Sequence, residues 1–324
     1  MCPQRLARID SFLQSRYIDT GKLPHAHVVV ARGGQVVHRS LLGQARLATA
    51  DAPAMPIAED SLTRIYSMTK PITSVAFMML VEEGKVALED PVHRFIPSWR
   101  NLGVYVSGGP GMWMTKPTDA PMRMIDLLRH TSGLTYGFQM RTNVDAAYRS
   151  GKVEPFAQKE GLQGFVDALA KVPLEFSPGT AWNYSVSTDV LGYLVEVISG
   201  QKFEDFLQQR IFGPLGMTDT AFHVSEDKLN RFTECYSIGA DGKLAAAIQG
   251  WPTFKAAPAA PSGGGGLVST MADYLRFCEL LRRGGELDGV RLLGPKTLQL
   301  MRSNHLPGQK ELNAVSVSMF AESI

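Results

Sequence analysis

Cysteine is scarce in this chain. Its 324 residues hold three, Cys2, Cys235 and Cys278, far apart and odd in number. That count excludes a disulfide framework, and no C-x-x-C pair offers a metal clip or a redox couple. Idle or buried thiols in a reducing compartment are expected. Charge of one sign is lacking too: 33 Lys and Arg stand against 31 Asp and Glu, without a block of either. Nucleic-acid and membrane partners therefore have no electrostatic footing. No apolar run reaches the about 18 residues that span a bilayer. The start, Met1-Cys-Pro-Gln-Arg-Leu-Ala-Arg-Ile-Asp10, lacks the apolar stretch of a signal peptide. A cytoplasmic protein is the expectation. Gly-x-Ser-x-Gly is absent, which removes the α/β-hydrolase nucleophile elbow.

What is present is an ordinary globular composition, 44% hydrophobic and 20% charged, long enough for one large domain or two. Leu6, Ile9, Leu13 and Tyr17 recur at helical spacing and predict a helix over 4–18. Two β-rich runs, 26–32 and 35–42, flank Gly33-Gly34 and predict an antiparallel hairpin. Helices are expected over about 68–83, 124–130, 161–171, 186–198, 271–283 and 295–303. Residues 100–122, rich in Gly and Pro, read as a long loop able to act as a lid, and 237–266 as loop-rich. No internal repeat is found.

The most informative stretch is Arg64-Ile-Tyr-Ser67-Met-Thr-Lys70-Pro71 and the apolar run behind it. Ser-x-x-Lys alone is weak, since Ser199 to Lys202 and Ser225 to Lys228 match it as well. Pro71 separates them. Lacking an N–H, proline sits comfortably only in a helix's first turn, which places Ser67 at the helix start. Lys70, three residues on, shares its face. Free N–H groups and the positive helix end favour negative charge developing at Ser67, and its own N–H can form half an oxyanion hole. A neighbouring amine can take the Ser67 proton. The plain alternative is an N-cap serine beside a solvated lysine, and Ser199 and Ser225 keep that reading.

A second stretch runs Phe176-Ser-Pro-Gly-Thr-Ala-Trp-Asn-Tyr184-Ser185-Val186. The Pro-Gly turn brings Tyr184 to the threshold of the next helix, as core, as cap, or as a phenol near a lysine that can act as general base.

With these two stretches the chain resembles the serine β-lactamase and penicillin-binding-protein superfamily, particularly class C β-lactamases and family VIII carboxylesterases. Leu127-Leu-Arg-His-Thr-Ser-Gly-Leu134, Phe212-Gly-Pro-Leu-Gly-Met-Thr-Asp-Thr220 and Gly263-Gly-Gly-Gly-Leu-Val-Ser-Thr270 support the likeness over about 24–306, in the family's order. The resemblance implies an α+β, β-lactamase-like fold: a helical domain beside a mixed α/β domain, with an antiparallel sheet from both chain ends and the site between the domains. It divides the chain into 1–66, the N-terminal part of the α/β domain; 67–236, mainly helical; and 237–324, an incomplete return. Ser67 becomes the nucleophile, Lys70 its activating partner and Tyr184 the general base. The implied course is a serine hydrolase forming an acyl-enzyme on Ser67, released to water (carboxylesterase) or an alcohol (acyltransferase). No metal or organic cofactor is called for; the partner is a small-molecule ester, and the oligomeric state is left open.

Two departures qualify this. The family's second motif is often Tyr-x-Asn, but Val186 holds the third position; the lost amide tilts the reading from β-lactams to esters, since a missing polar partner costs about 1–3 kcal/mol. The third motif, Lys-Thr-Gly, His-x-Gly or Trp-Gly-Gly, is absent. Trp99, Trp113, Trp182 and Trp251 are followed by Arg, Met, Asn and Pro, and Lys296-Thr297 continues to Leu298 on an expected helix. The expectation is a C-terminally truncated protein, or a longer chain of which these 324 residues are a part, with the last sheet strands missing and the hairpin left with an open edge. A β-lactamase or D,D-peptidase-like enzyme, and a non-catalytic β-lactamase-like scaffold, are the alternatives. His130 is expected to be structural, like His25 and His27; Gly263 to Gly266 to form a flexible turn beside the site rather than a phosphate loop; Trp182 and Tyr136 to line an acyl pocket or the core.

Overall fold

The structure is a computed structural model and describes residues 1–246 and 253–318. Trp251 and the last six residues therefore lie outside the described residues. In chain order the elements are α1 (Pro3–Leu13), β1 (His25–Arg32), β2 (Gln35–Arg46), β3 (Met55–Pro56), β4 (Thr63–Arg64), α2 (Thr69–Glu82), β5 (Val104–Gly109) and β6 (Met112–Lys116). Next come α3 (Met124–Leu128), α4 (Asn143–Ser150), α5 (Gly161–Leu169), α6 (Ser187–Ser199), α7 (Phe203–Leu207) and α8 (Gly213–Leu215). The chain continues through β7 (Tyr236–Ile238), β8 (Leu244–Ala246), β9 (Val268–Ser269), α9 (Met271–Arg282), β10 (Glu286–Leu287), β11 (Val290–Arg291) and α10 (Pro295–Met301). The mixture of helices and antiparallel pairs is the expected α+β class.

The residues gather into two compact units. The first takes Met1–Ile65, Leu215–Ala257 and Leu267–Arg283. Its sheet has the order β1-β2-β3, and β1 and β2 close with Arg32 opposite Gln35. That leaves a two-residue loop at Gly33 and Gly34, both at positive φ, the turn whose twist matches paired strands. Among the described residues β1 has one partner strand, β2. A π-turn over Gln14–Ile18 extends α1 to the expected end of the first helix. The stretch expected to be loop-rich contains the β7–β8 hairpin, turning through Asp241 and Gly242. Short β-runs flanking a turn are easily hidden among glycines and prolines.

The second unit takes Tyr66–Pro214, Pro258–Gly266 and Gly284–Ile324. Its centre is α2 packed on α6. Ile72, Val75, Ala76, Phe77 and Leu80 of α2 and Val190, Leu191, Leu194 and Val195 of α6 are almost wholly buried. Each such Val, Ile, Leu or Phe side chain contributes about 1.5–3 kcal/mol, and a helix apolar on nearly every side has no stable place at a surface. Gly200 ends α6 in the left-handed region.

The expected loop over 100–122 is corrected here: 104–116 form the β5–β6 hairpin, turning at Pro110-Gly111. Val104, Tyr105, Trp113 and Thr115 are strand formers; Pro110 and Gly111 supply the turn, and a bulge falls between Tyr105 and Ser107. The hairpin is tied down where Tyr105 N–H donates to the Leu174 carbonyl at 2.8 Å. It is a fastened strand pair with one register shift. The helix α4 was not anticipated, although Thr142 and Asp145 form a reciprocal capping box at its start.

Candidate active site

All three sequence-predicted site residues lie in the second unit, and the structure brings them together. Ser67 occupies a 3-10 turn, Tyr66–Met68, leading directly into α2. Pro71 is the third residue of that helix, where its missing N–H leaves no bond unmade. Tyr66, just before Ser67, holds φ at 41°, the left-handed region that side chains rarely adopt. Such strain persists only where the surroundings enforce it, and here it turns the chain sharply into Ser67, which stays exposed.

Lys70 Nζ lies 3.1 Å from Ser67 Oγ, and the Tyr184 hydroxyl lies 2.5 Å from the same oxygen. Lys70 also donates to the Gly264 carbonyl at 2.6 Å. Its ammonium stands over the Tyr184 ring at 4.6 Å and the Tyr136 ring at 5.4 Å. Two proton-carrying groups thus converge on one hydroxyl, and aromatic faces screen the cation from water.

Tyr184 is fixed by its neighbours in sequence. Asn183 N–H donates to the His130 carbonyl at 2.9 Å, and Ser185 N–H to His130 Nδ1 at 3.3 Å. Gln139 Nε2 reaches Asn183 Oδ1 at 2.8 Å and the Tyr184 carbonyl at 2.5 Å. His130 itself makes no contact with Ser67 and packs its ring 5.2 Å from that of Tyr184. Burial, with the Lys70 charge second, pushes its imidazole down to about 3, so it is neutral at pH 7. It serves as the clamp on Tyr184, in agreement with a structural histidine. Gly133 lets the His130 loop approach: its φ is +85°, and a Cβ there would meet the Phe176 carbonyl at 2.3 Å.

Gly263–Gly266 differs from the flexible turn expected. Gly263, Gly264 and Gly266 are buried, with the Gly263 carbonyl accepting from Thr73 Oγ1 at 2.8 Å. Gly264 N–H donates to Asp189 Oδ1 at 2.9 Å. Glycine serves close packing here rather than freedom. Tyr136 is buried and stacks on Phe138 at 4.6 Å between centroids. Trp182 lines a cavity of about 390 Å³ with Met78, Leu128, Leu300 and Leu306. Sequence reasoning missed Asp189, Gln139 and Asn183, whose partners lie 44 to 75 residues away along the chain.

The other Ser-x-x-Lys matches are spent on structure. Ser199 Oγ accepts from Gln201 N–H at 3.1 Å beyond α6, and Lys228 Nζ lies 2.8 Å from Asp219. Lys296 sits on α10 and donates to Gln299 at 3.3 Å. Asp10, His38 and Ser40 also meet, but carboxylate and hydroxyl share the single Nε2 of His38, so no proton can be relayed across the ring. Among the described residues no cluster fit to hold a metal occurs, and no helix is long and apolar enough to cross a membrane.

Comparison with known proteins bears on the fold and the family. An uncharacterized protein of Mycobacterium tuberculosis is 39% identical over 257 residues, 79% of this chain; the chain spans 63% of that relative's length. Esterase EstB of Burkholderia gladioli is 31% identical over 293 residues, 85% of this chain and 70% of the esterase. Among solved structures, that of EstCE1, a hydrolase with promiscuous acyltransferase activity, superposes with a TM-score of 0.78 at 25% identity, covering 94% of this chain and 78% of that one. The family described as Beta-lactamase matches residues 10–318. On that match and the likeness to an esterase, the chain belongs to the β-lactamase family.

Proposed function

We propose that this protein is a serine esterase that works through an acyl-enzyme on Ser67. One observation carries the reading: Lys70 Nζ and the Tyr184 hydroxyl converge on Ser67 Oγ at 3.1 and 2.5 Å. Loss of a proton from this trio frees Ser67 Oγ to attack the ester carbonyl carbon as its own proton passes to Lys70 or Tyr184. The new C–O bond gives a tetrahedral oxyanion, which the Ser67 N–H at the head of α2 is placed to stabilise. Collapse breaks the bond to the alcohol, which departs with the proton returned through Tyr184. Water then adds to the acyl-enzyme, its proton passing to the same base, and the acid leaves as Ser67 regains its hydrogen.

Esters are favoured over β-lactams because Val186, the third residue of the motif that begins at Tyr184, is fully buried and carries no side-chain amide. A second reading, transfer of the acyl group to an alcohol instead of water, is supported by the promiscuous acyltransferase activity in the description of EstCE1. The step differs only in which hydroxyl enters.

The test is a fluorophosphonate probe, with intact mass and peptide mapping of the adduct. A single adduct on Ser67, absent in Ser67→Ala, is expected. A folded protein that takes no adduct, or takes it elsewhere, overturns the proposal and favours a non-catalytic scaffold. Turnover of p-nitrophenyl esters with and without added alcohol then separates hydrolysis from transfer.

A further inference from the structure

Asp189 is the third residue of α6 and almost wholly buried. An acidic residue there ordinarily faces the N–H groups of its own helix. Here the α6 cap, Val186, makes no side-chain bond, and the Asp189 carboxylate leaves its helix. Oδ1 accepts from Ser262 Oγ at 2.5 Å and from Gly264 N–H at 2.9 Å, and the Tyr136 hydroxyl donates to Oδ2 at 3.4 Å. The Gly264 carbonyl then accepts from Lys70 Nζ at 2.6 Å. The fit is tight: a Cβ on Gly264 would meet Asp189 Oδ2 at 2.5 Å and the Tyr136 hydroxyl at 2.8 Å.

A buried carboxylate without compensation is costly, so this one requires a reason. Of the titratable groups around Lys70, Tyr136 and Tyr184 present ring faces and His130 is neutral. Glu154 stands behind, accepting from Gly137 N–H at 3.1 Å; its field falls on Tyr136, and that of Asp189 falls on it. Asp189 is the acid whose field meets that of Lys70; burial pushes its carboxyl up, and Lys70 foremost opposes that rise.

We infer that Asp189 is the positioning residue and counter-ion of Lys70: it fixes the Gly264 carbonyl that holds the ammonium beside Ser67, and its charge stabilises that ammonium. The inference rests on the catalytic reading above for its meaning, but its test does not.

The variant is Asp189→Asn, whose amide oxygen can still accept from Ser262 and Gly264 while the charge is gone. Competitive acetylation with acetic anhydride, mapped by peptide mass, compares the reactivity of Lys70 with that of exposed lysines of the same molecule. Without the counter-ion Lys70 acetylation is expected to accelerate about tenfold, and fluorophosphonate labelling of Ser67 to shift its ascending pH limb to lower pH by about one unit. An unchanged Lys70 rate in a folded Asp189→Asn protein overturns the inference. Wild-type protein that fails to label at Ser67 sinks the catalytic reading alone, because Lys70 acetylation still judges the counter-ion. Should Asp189→Asn fail to fold, Ser262→Ala carries the test. Losing that hydroxyl loosens the carboxylate and is expected to speed Lys70 acetylation about two- to threefold; an unchanged rate overturns the proposal.

Discussion

Ser67–Lys70 and Ser225–Lys228 have the same spacing and opposite surroundings. Ser225 precedes a 3-10 turn, Glu226–Arg231, and Lys228 reaches the Thr218 carbonyl at 3.0 Å and Asp219 at 2.8 Å. Asp219 is held down to about 2, chiefly by Arg231, so that lysine is one member of an ion-pair cluster at the protein surface. Lys70 instead meets a carbonyl, two aromatic faces and Ser67, with its carboxylate reaching it only through Gly264. A pattern of four residues specifies proximity. Under the proposed function what differs is the surroundings: only Ser67 has a second proton carrier, the Tyr184 hydroxyl, on its oxygen.

The comparison breaks most completely at the serine itself. Ser67→Ala is expected to abolish fluorophosphonate labelling and ester turnover. Lys70→Ala and Tyr184→Phe follow, each slowing the labelling rate by about 10²–10⁴-fold while leaving the thermal unfolding midpoint close to wild type. Near-normal turnover of an activated ester by Tyr184→Phe would remove the general base from the proposal, and leave Lys70 to act alone.

A subtler way to sharpen it concerns His130, which holds the strand of chain bearing Tyr184. Its folded-state value, about 3, lies below the ordinary 6.5. Above 6.5 neither the folded nor the unfolded chain carries that proton, so the contribution is fully present. As pH falls from 6.5 towards 3 the unfolded chain binds it first, and stability is lost at up to about 1.4 kcal/mol per pH unit. Glu154, Glu175 and Asp189 are pushed up by burial and act in the opposite sense, so the measurement is a difference. Urea unfolding of wild type and His130→Gln between pH 7 and 4 should converge as pH falls; parallel curves would show that the imidazole is not buried neutral. Looser tethering of Tyr184 should also slow labelling about tenfold in this variant.

How much of this could be read from the chain alone follows the range of each interaction. Ser67 and Lys70 are three residues apart on a helix whose start Pro71 marks, so their approach is written in local spacing. The placement of Tyr184 came from resemblance, and its contact with Ser67 spans 117 residues. Asp189 escaped because its bond to Gly264 spans 75 residues and leaves its own helix; no periodicity encodes such a partner. The glycines at 263–266 were read as slack because composition records an absent side chain, not the atoms that occupy its place: Thr188 and Thr73 at Gly263, Asp189 and Tyr136 at Gly264. The hairpin at 104–116 was missed for a related reason: Pro110 and Gly111 are one turn's requirement, and counting them concealed the strand formers on either side.

The smallest expected effect comes from the far side of the comparison. Ser225→Ala should leave fluorophosphonate labelling at Ser67 unchanged. Lys228→Met removes a partly exposed ammonium from Asp219, which keeps both its bonds to Arg231, at 2.7 and 3.1 Å. Exposed ion pairs contribute about 0–1 kcal/mol, and one whose carboxylate retains a bidentate guanidinium belongs at the low end. Labelling should stay within twofold of wild type, and the urea midpoint should fall only slightly, with less of a fall at high salt. An adduct on Ser225, or a large loss of Ser67 labelling in either variant, would mean that spacing confers reactivity irrespective of the groups around it. The assignment of Ser67 would then have to rest on something other than its surroundings.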